Sequence, residues 1–271
     1  MFAGLVTIER SCQMVRGLFT AYTGMNNEQR RLDVLSNNLA NAATVGYKAE
    51  GATNQSFNKL LAIKINDSSE MGVDRAIGDL SLGVKVGEVY TDYSQGSLRE
   101  TGNTFDLGID GEGFFAINVV NKNGESETMY TRDGCFKMTS EGFITDSDGN
   151  KLIGSGGYVQ VPTNASQIAI DSAGAIYADG QLIDTIQLVD FEDYDYLAKH
   201  GTNLYRAVDG AQTKEATGLI RQGYTEQSNV NSVSEMVKLI TITRAYEANQ
   251  KVLQAFDSTL QKACNDIGRV R

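Results

Sequence analysis

Apolar residues near the end of the chain fall into a strict heptad rhythm. Leu239, Ile242, Tyr246, Asn249, Leu253, Phe256, Leu260, Ala263 and Ile267 alternate steps of three and four without a slip. That spacing draws one seam along one side of a helix and predicts a coiled coil rather than an ordinary surface helix. Near the start, Leu18, Met25, Leu32 and Leu39 recur every seven residues, with Leu35 beside them. A seam requires a partner helix, so the two ends are expected to pack against each other, against other copies, or both. Apolar residues at helical spacing more often belong to plain core. Here the length of the run and the polar Asn249 in mid-seam, a residue type that fixes register at some cost in stability, favour the interhelical reading.

The rhythm changes between these ends. From about Gly102 to Tyr224 the period drops to two, and five Asp-Gly pairs appear: Asp110-Gly111, Asp133-Gly134, Asp148-Gly149, Asp179-Gly180 and Asp209-Gly210. Each is a natural two-residue hairpin turn, since both residue types tolerate positive φ. Gly113 to Ile117 and Thr185 to Val189 supply strands between them. The fold class expected is α+β, with long amino- and carboxyl-terminal helices paired as a coiled coil and a central antiparallel all-β domain. The predicted boundaries are a non-native or disordered extension at 1–13, with Met14 a second candidate start, and an amino-terminal assembly helix at 14–46. An extended linker with short strands follows at 47–101, Val84, Val86, Val89 and Tyr90 making one of them. The β domain covers 102–224 and the heptad helix 225–271. Gly46 sits where a left-handed residue would end the first helix. Ser232 or Ser234 would cap the second, which meets no glycine or proline before Gly268. The one proline, Pro162, lies in the β region.

Composition narrows the function. At 271 residues with 41% hydrophobic side chains the chain can bury a sizeable core. A net charge of −10 and the lack of any basic run argue against nucleic acid and anionic membranes as partners. Cys12, Cys135 and Cys264 are too few and too far apart for a disulfide framework or a zinc site. No stretch is long and apolar enough to span a bilayer, and residues 1–8 lack the basic flank and cleavage pattern of a secretory signal.

Catalytic patterns are missing. His200, the single histidine, precedes a glycine turn with no recognisable nucleophile in the sequence. Asp146-Ser147-Asp148-Gly149-Asn150 begins like a calcium loop, but Lys151 and Gly157 stand where glycine and glutamate are required. Gly108 to Gly113 has the wrong glycine order for a phosphate loop and leads into a strand. A glycosidase-type carboxylate pair among the 34 acidic residues is neither favoured nor refuted by sequence.

The helical segments carry a resemblance. Met14 to Met25, then Leu35-Ser36-Asn37-Asn38-Leu39-Ala40-Asn41 and Thr44-Val45-Gly46-Tyr47-Lys48, resemble the amino-terminal signature of bacterial flagellar rod and hook proteins. Gly223 to Asn231, Glu235-Met236-Val237 and Arg244 to Lys251 are similar to the family's other signature. Asp110 to Phe115 and Tyr130 to Phe136 resemble its β-domain motifs. Thr225 departs from the small hydrophobic or leucine-like residue expected there. The length is that of a rod protein, and the motifs do not choose between proximal and distal rod subunits.

The resemblance implies a mechanical role in the basal body. Subunits are exported without a cleaved signal through the flagellar type III export apparatus. They polymerise helically into the periplasm-spanning drive shaft that transmits torque. Partners are like subunits, other rod proteins, the hook and the surrounding ring proteins, with no cofactor and no small-molecule substrate. The expected assembly residues are Leu18, Met25, Leu32, Leu35, Leu39, Leu239, Ile242, Tyr246, Asn249, Leu253, Phe256, Leu260 and Ile267. Burying each leucine-sized side chain contributes about 1.5–3 kcal/mol, so such a seam supplies ample association energy. Two other readings stand beside it: a peptidoglycan-acting enzyme with paired carboxylates, and a β-domain binding module or adhesin braced by its helices.

Overall fold

The computed structural model describes residues 3–57, 60–63, 76–80, 83–120, 124, 126–165 and 167–267. Side chains are described from residue 17 onward, excluding 60–63, 76–80, 266 and 267. The chain forms two compact units, one built from residues 1–39, 50–91 and 232–271 and the other from 40–49 and 92–231.

The first unit holds both helices, α1 (Ala3–Ala40) and α2 (Ser232–Ile267). Neither contains proline, and their strong helix formers outnumber the glycines at 4, 17 and 24. Backbone helix extends from Ala3, so residues 3–13 continue α1 upstream of the expected boundary at Met14. The stretch expected to be a linker contributes a paired ribbon. Glu50–Ser56 runs antiparallel to Val84–Thr91, and Leu60–Ile63 pairs with Ala76–Leu80. Polar side chains of α1 hold this ribbon. Asn38 donates to the Glu50 carbonyl at 2.8 Å and accepts from the Glu50 amide at 2.9 Å, pairing with it as a strand residue would. On the same face lie Thr23, whose hydroxyl nearly fills the space beside Gly83, and, about one turn further on, Asn27, which donates to Asn54 at 3.2 Å.

The second unit is the β body. Its largest sheet runs 197–200, 204–207, 126–131, 114–120, 151–154, 144–145, 137–138, and every pairing is antiparallel. Strand 188–191 joins 114–120 and also pairs with 213–215, while 168–170, 175–178 and 181–185 form a smaller sheet. Strand 107–110 pairs with 219–222, and 98–100 with 224–226. Strand 114–120 opens with a continuous apolar run, 114–117, instead of an alternation. Phe115 and Ile117 enter a core with Leu107, Ile109, Met129, Leu152 and Ile176. Phe114 and Ala116 enter another with Phe191, Leu197 and Tyr205. Covered on both faces, residues 114–117 have no position to spare for a water-facing side chain.

The turn pairs divide. Asp179 and Gly180 both have positive φ, 51° and 84°, and close a two-residue hairpin with Ala178 opposite Gln181. Asp148-Gly149 closes the hairpin that places Thr145 opposite Lys151. The other three are not hairpin turns, because the strands flanking them find partners elsewhere. Gly134 does not adopt positive φ among the described glycines; a side chain there would strike the Leu107 carbonyl. An Asp-Gly pair marks where a chain bends easily, whereas pairing is decided by which faces must be buried.

Two helix-end expectations change likewise. α1 stops at Ala40, so Gly46, left-handed at φ 68°, ends a following turn segment and not the helix. Its backbone lies against Arg132 and Asp133, where a Cβ would come within 2.5 Å of main-chain atoms. α2 opens at Ser232, which places both Ser232 and Ser234 inside its first turn rather than at the cap. His200 ends strand 197–200 opposite Leu204 and is exposed.

Candidate assembly interface

Two glycines show how the helices meet. An ideal Cβ at Gly17 would lie 2.6 Å from Phe256 Cζ, and one at Gly24 would lie 3.1 Å from Asn249 Nδ2. Seven residues forward on α1 correspond to seven residues backward on α2, so the helices run antiparallel along this contact. Ala21 and Leu35, both buried, continue the same face of α1 at four- and three-residue spacing. Small residues let one backbone approach the other, and the large ring of Phe256 fills the notch this leaves.

On α2 the expected seam residues share the inward side. Ile242 is buried, and Leu239, Tyr246, Asn249, Leu253, Phe256 and Ala263 are half-buried. Leu260 is exposed in the single chain, and the side chain of Ile267 lies outside the described residues. On α1 Leu35 is buried, while Leu18, Met25, Leu32 and Leu39 are half-buried and flank the Gly17–Ala21–Gly24 line. The α1 contact line is thus rotated by about one residue from the leucine heptad, because the closest approach needs the smallest side chains. Glycine carries no apolar signal, which is why the leucines stood out first; the one available sign was that Gly17 and Gly24 are themselves a heptad apart.

Opposite the mutual seam, both helices expose apolar side chains. Val233, Met236, Val237 and Ile240 lie roughly half a turn from Ile242 and Asn249 at about 100° per residue, and Phe19 and Tyr22 stand similarly opposite Gly17 and Gly24. Val233 is 70% and Val237 59% exposed.

The β body buries a charge cluster that sequence reading missed. Lys48 Nζ lies 2.6 Å from Glu226 Oε1, and Arg132 Nη1 3.3 Å from Glu226 Oε2. All three side chains are almost wholly buried. The Gly96 amide donates to Glu226 Oε1 at 2.9 Å, and Lys48 also donates to the Ser94 carbonyl at 2.8 Å. Arg132 stacks over the Phe114 ring, 5.1 Å from its centroid. Burial pulls the Lys48 ammonium below its ordinary pKa, with the Glu226 carboxylate opposing that fall. Lys48 stands in the recognised Tyr47-Lys48 motif, but its partner is 178 residues away and no local pattern links them.

A second group carries carboxylates. Asp133, buried beside Asp146, has its pKa pushed up to about 6, burial being the main cause. It accepts from the Cys135 amide at 3.0 Å and from Asn203 Nδ2 at 2.8 Å. Burial first, then Asp133 and Asp106, push the Cys135 thiol up to about 12, so it is an unreactive thiol. Among the described residues no group of His, Cys, Asp and Glu side chains could hold a metal ion. Asp146 instead closes its own turn, its carbonyl accepting from the Gly149 amide at 3.0 Å.

Two terminal helices in mutual contact, with apolar side chains exposed on their outer faces, are the build of a subunit made to pack against neighbours. Similarity to known proteins gives the same class. Residues 18–48 match the family of flagella basal body rod proteins, and 108–178 match the D1 domain of the flagellar hook protein FlgE/F/G. Residues 221–266 match the flagellar basal body rod FlgEFG protein C-terminal family. Relatives extend this over more than nine-tenths of the chain. A flagellar basal-body rod protein FlgG of Bacillus subtilis is 34% identical, covering 93% of this chain and 99% of the relative. FlgG of Caulobacter vibrioides is 36% identical over 91% and 97%, and the flagellar hook-basal body complex protein FlhO of Bacillus subtilis 32% over 95% and 100%. The chain belongs to the flagellar basal-body rod protein family, whose members are structural and not enzymes. Nothing supports the peptidoglycan-enzyme or adhesin readings.

Proposed function

We propose that this subunit polymerises helically through α1 and α2, the two helices pairing as an antiparallel coiled coil within each copy. The assembled tube is the periplasm-spanning rod, the drive shaft that carries torque. Its partners are like subunits, the other rod proteins, the hook and the surrounding rings, and it reaches them unfolded through the flagellar type III export apparatus without a cleaved signal. The observation that carries the reading is the apolar stripe of Val233, Met236, Val237 and Ile240, left in water on the side of α2 away from Gly24 and Phe256. Four such side chains, each contributing about 1.5–3 kcal/mol when fully buried, favour a neighbouring surface over solvent.

The seam and the stripe divide the work. Leu18, Met25, Leu32, Leu35 and Leu39 with Leu239, Ile242, Tyr246, Asn249, Leu253 and Phe256 hold the pair together; Leu260 and Ile267 extend the line towards its end. The outward stripe is what one copy offers the next. Val237→Asp with Ile240→Asp should leave the β body folded by circular dichroism and abolish rods in electron micrographs of basal bodies. Normal rods bearing both aspartates would overturn this assignment.

A further inference from the structure

The chain leaves the β body between residues 49 and 50, 91 and 92, and 231 and 232, besides its first entry near residue 40. Inside the body the three segments next to those exits meet at one side chain. Asn229 Oδ1 accepts from the Ala49 amide at 2.8 Å, and Asn229 Nδ2 donates to the Asp92 carbonyl at 2.8 Å. The same Nδ2 donates to the Ser94 carbonyl at 3.2 Å and lies 3.1 Å from the Ser94 hydroxyl. The Asp92 amide donates to the Ala49 carbonyl at 2.8 Å, closing a triangle of segments. Below it, the Gly46 amide donates to the Glu226 carbonyl at 2.8 Å, and the Gln227 amide to the Ser97 carbonyl at 2.9 Å. The Lys48–Glu226 pair and the Gly96 amide bind the same three segments again.

We infer that Asn229 is the pin of a mechanical clasp that shares tension among the three chain exits, so that load on one does not peel that segment from the β body. A carboxamide suits the place because it alone among short side chains supplies an acceptor for the Ala49 amide and donors for two carbonyls at once. Hydrogen bonds in parallel across several segments must break together, whereas a segment held by its own strand alone opens one bond at a time. This inference rests on the rod reading, since only a subunit that carries torque needs such sharing.

The test uses the full chain with Asn229→Ala and Asn229→Asp. The aspartate keeps the acceptor but faces the Asp92 and Ser94 carbonyls without a donor, so it should be no better than alanine. Hydrogen exchange is read at the Ala49 and Asp92 amides and, as a folding control, in core strand 114–120. The expected result is exchange at Ala49 and Asp92 faster by about tenfold or more, equivalent to ~1.4 kcal/mol of local opening, with strand 114–120 unchanged. In cells, basal bodies should assemble, while motility fails selectively in viscous medium. Unchanged exchange at Ala49 and Asp92, or equal loss throughout the core, overturns the clasp; so does unimpaired motility at every viscosity. Failure of the rod reading is a separate outcome: complete rods in cells lacking this chain.

Discussion

Glu226→Leu is the perturbation with the largest expected effect on the β body. The carboxylate takes the Lys48 ammonium and the Gly96 amide on one oxygen and faces the Arg132 guanidinium with the other. Leucine is close in size, so the loss is one of charge and acceptors, not volume. Two cations, with side chains 1% and 4% exposed, are left without a counter-charge. Breaking a buried pair from one side costs about 3–5 kcal/mol, a large share of the roughly 5–15 kcal/mol that holds a typical protein folded. Urea unfolding followed by circular dichroism and tyrosine fluorescence measures it; the chain has 12 tyrosines and no tryptophan to obscure them. Replacing all three groups together, Lys48→Met, Arg132→Leu and Glu226→Leu, should recover most of the loss, because the desolvation cost of the cations goes with their charges. Lys48→Met alone should cost less than Glu226→Leu, since Glu226 keeps Arg132 and the Gly96 amide. A loss below ~1 kcal/mol for Glu226→Leu at unchanged urea slope would refute the claim that this anion holds the cluster.

Gly46→Ala should destabilise the β body by more than ~2 kcal/mol in the same urea assay, since it combines left-handed strain at φ 68° with a Cβ 2.5 Å from the Arg132 and Asp133 main chain. Gly17→Ala should loosen the helix pair, and Phe256→Leu in the same chain should restore part of it. A double-mutant cycle with coupling of about 1 kcal/mol is expected, and additive losses would count against the notch. Asp133 gives a pH signature. Its folded pKa of about 6 lies above the ordinary 3.8, so the folded chain binds more protons than the unfolded one between those values. Its contribution is fully present below pH ~4 and lost as pH rises through ~6, by up to ~3 kcal/mol. Asp133→Asn should remove that slope from stability measured between pH 4 and 7, and a slope that persists unchanged would assign it to other groups.

The sequence was legible where a physical constraint repeats. The α2 line from Leu239 to Phe256 follows from burial recurring every three and four residues, and the β body from alternation with frequent turns. It was opaque where the constraint is a single long-range meeting. Gly17 and Gly24 look like helix weaknesses until Phe256 and Asn249 stand against them. Nothing in the sequence around Lys48 points to its partner Glu226, 178 residues away. The stretch 47–101 reads as a linker because its ribbon is fixed by Asn27, Asn38 and Thr23, polar residues that leave no hydrophobic period. Three of the five Asp-Gly pairs misled for the same reason: bending is local, pairing is not.

Both the helix seam and the charge cluster join the first fifty residues to the last fifty. Gly17 waits for Phe256, Gly24 for Asn249, Lys48 for Glu226 and Ala49 for Asn229. Each closure spans most of the chain, so its entropic cost falls due before any contact rewards it. A chain emerging amino end first cannot close its seam until residue 256 is free, nor satisfy Lys48 until residue 226 is. Until then α1 lacks its partner, and helices without tertiary packing are marginal in water. The pairings that make the finished subunit firm are thus the ones that keep its leading end uncommitted while the rest of the chain is still arriving.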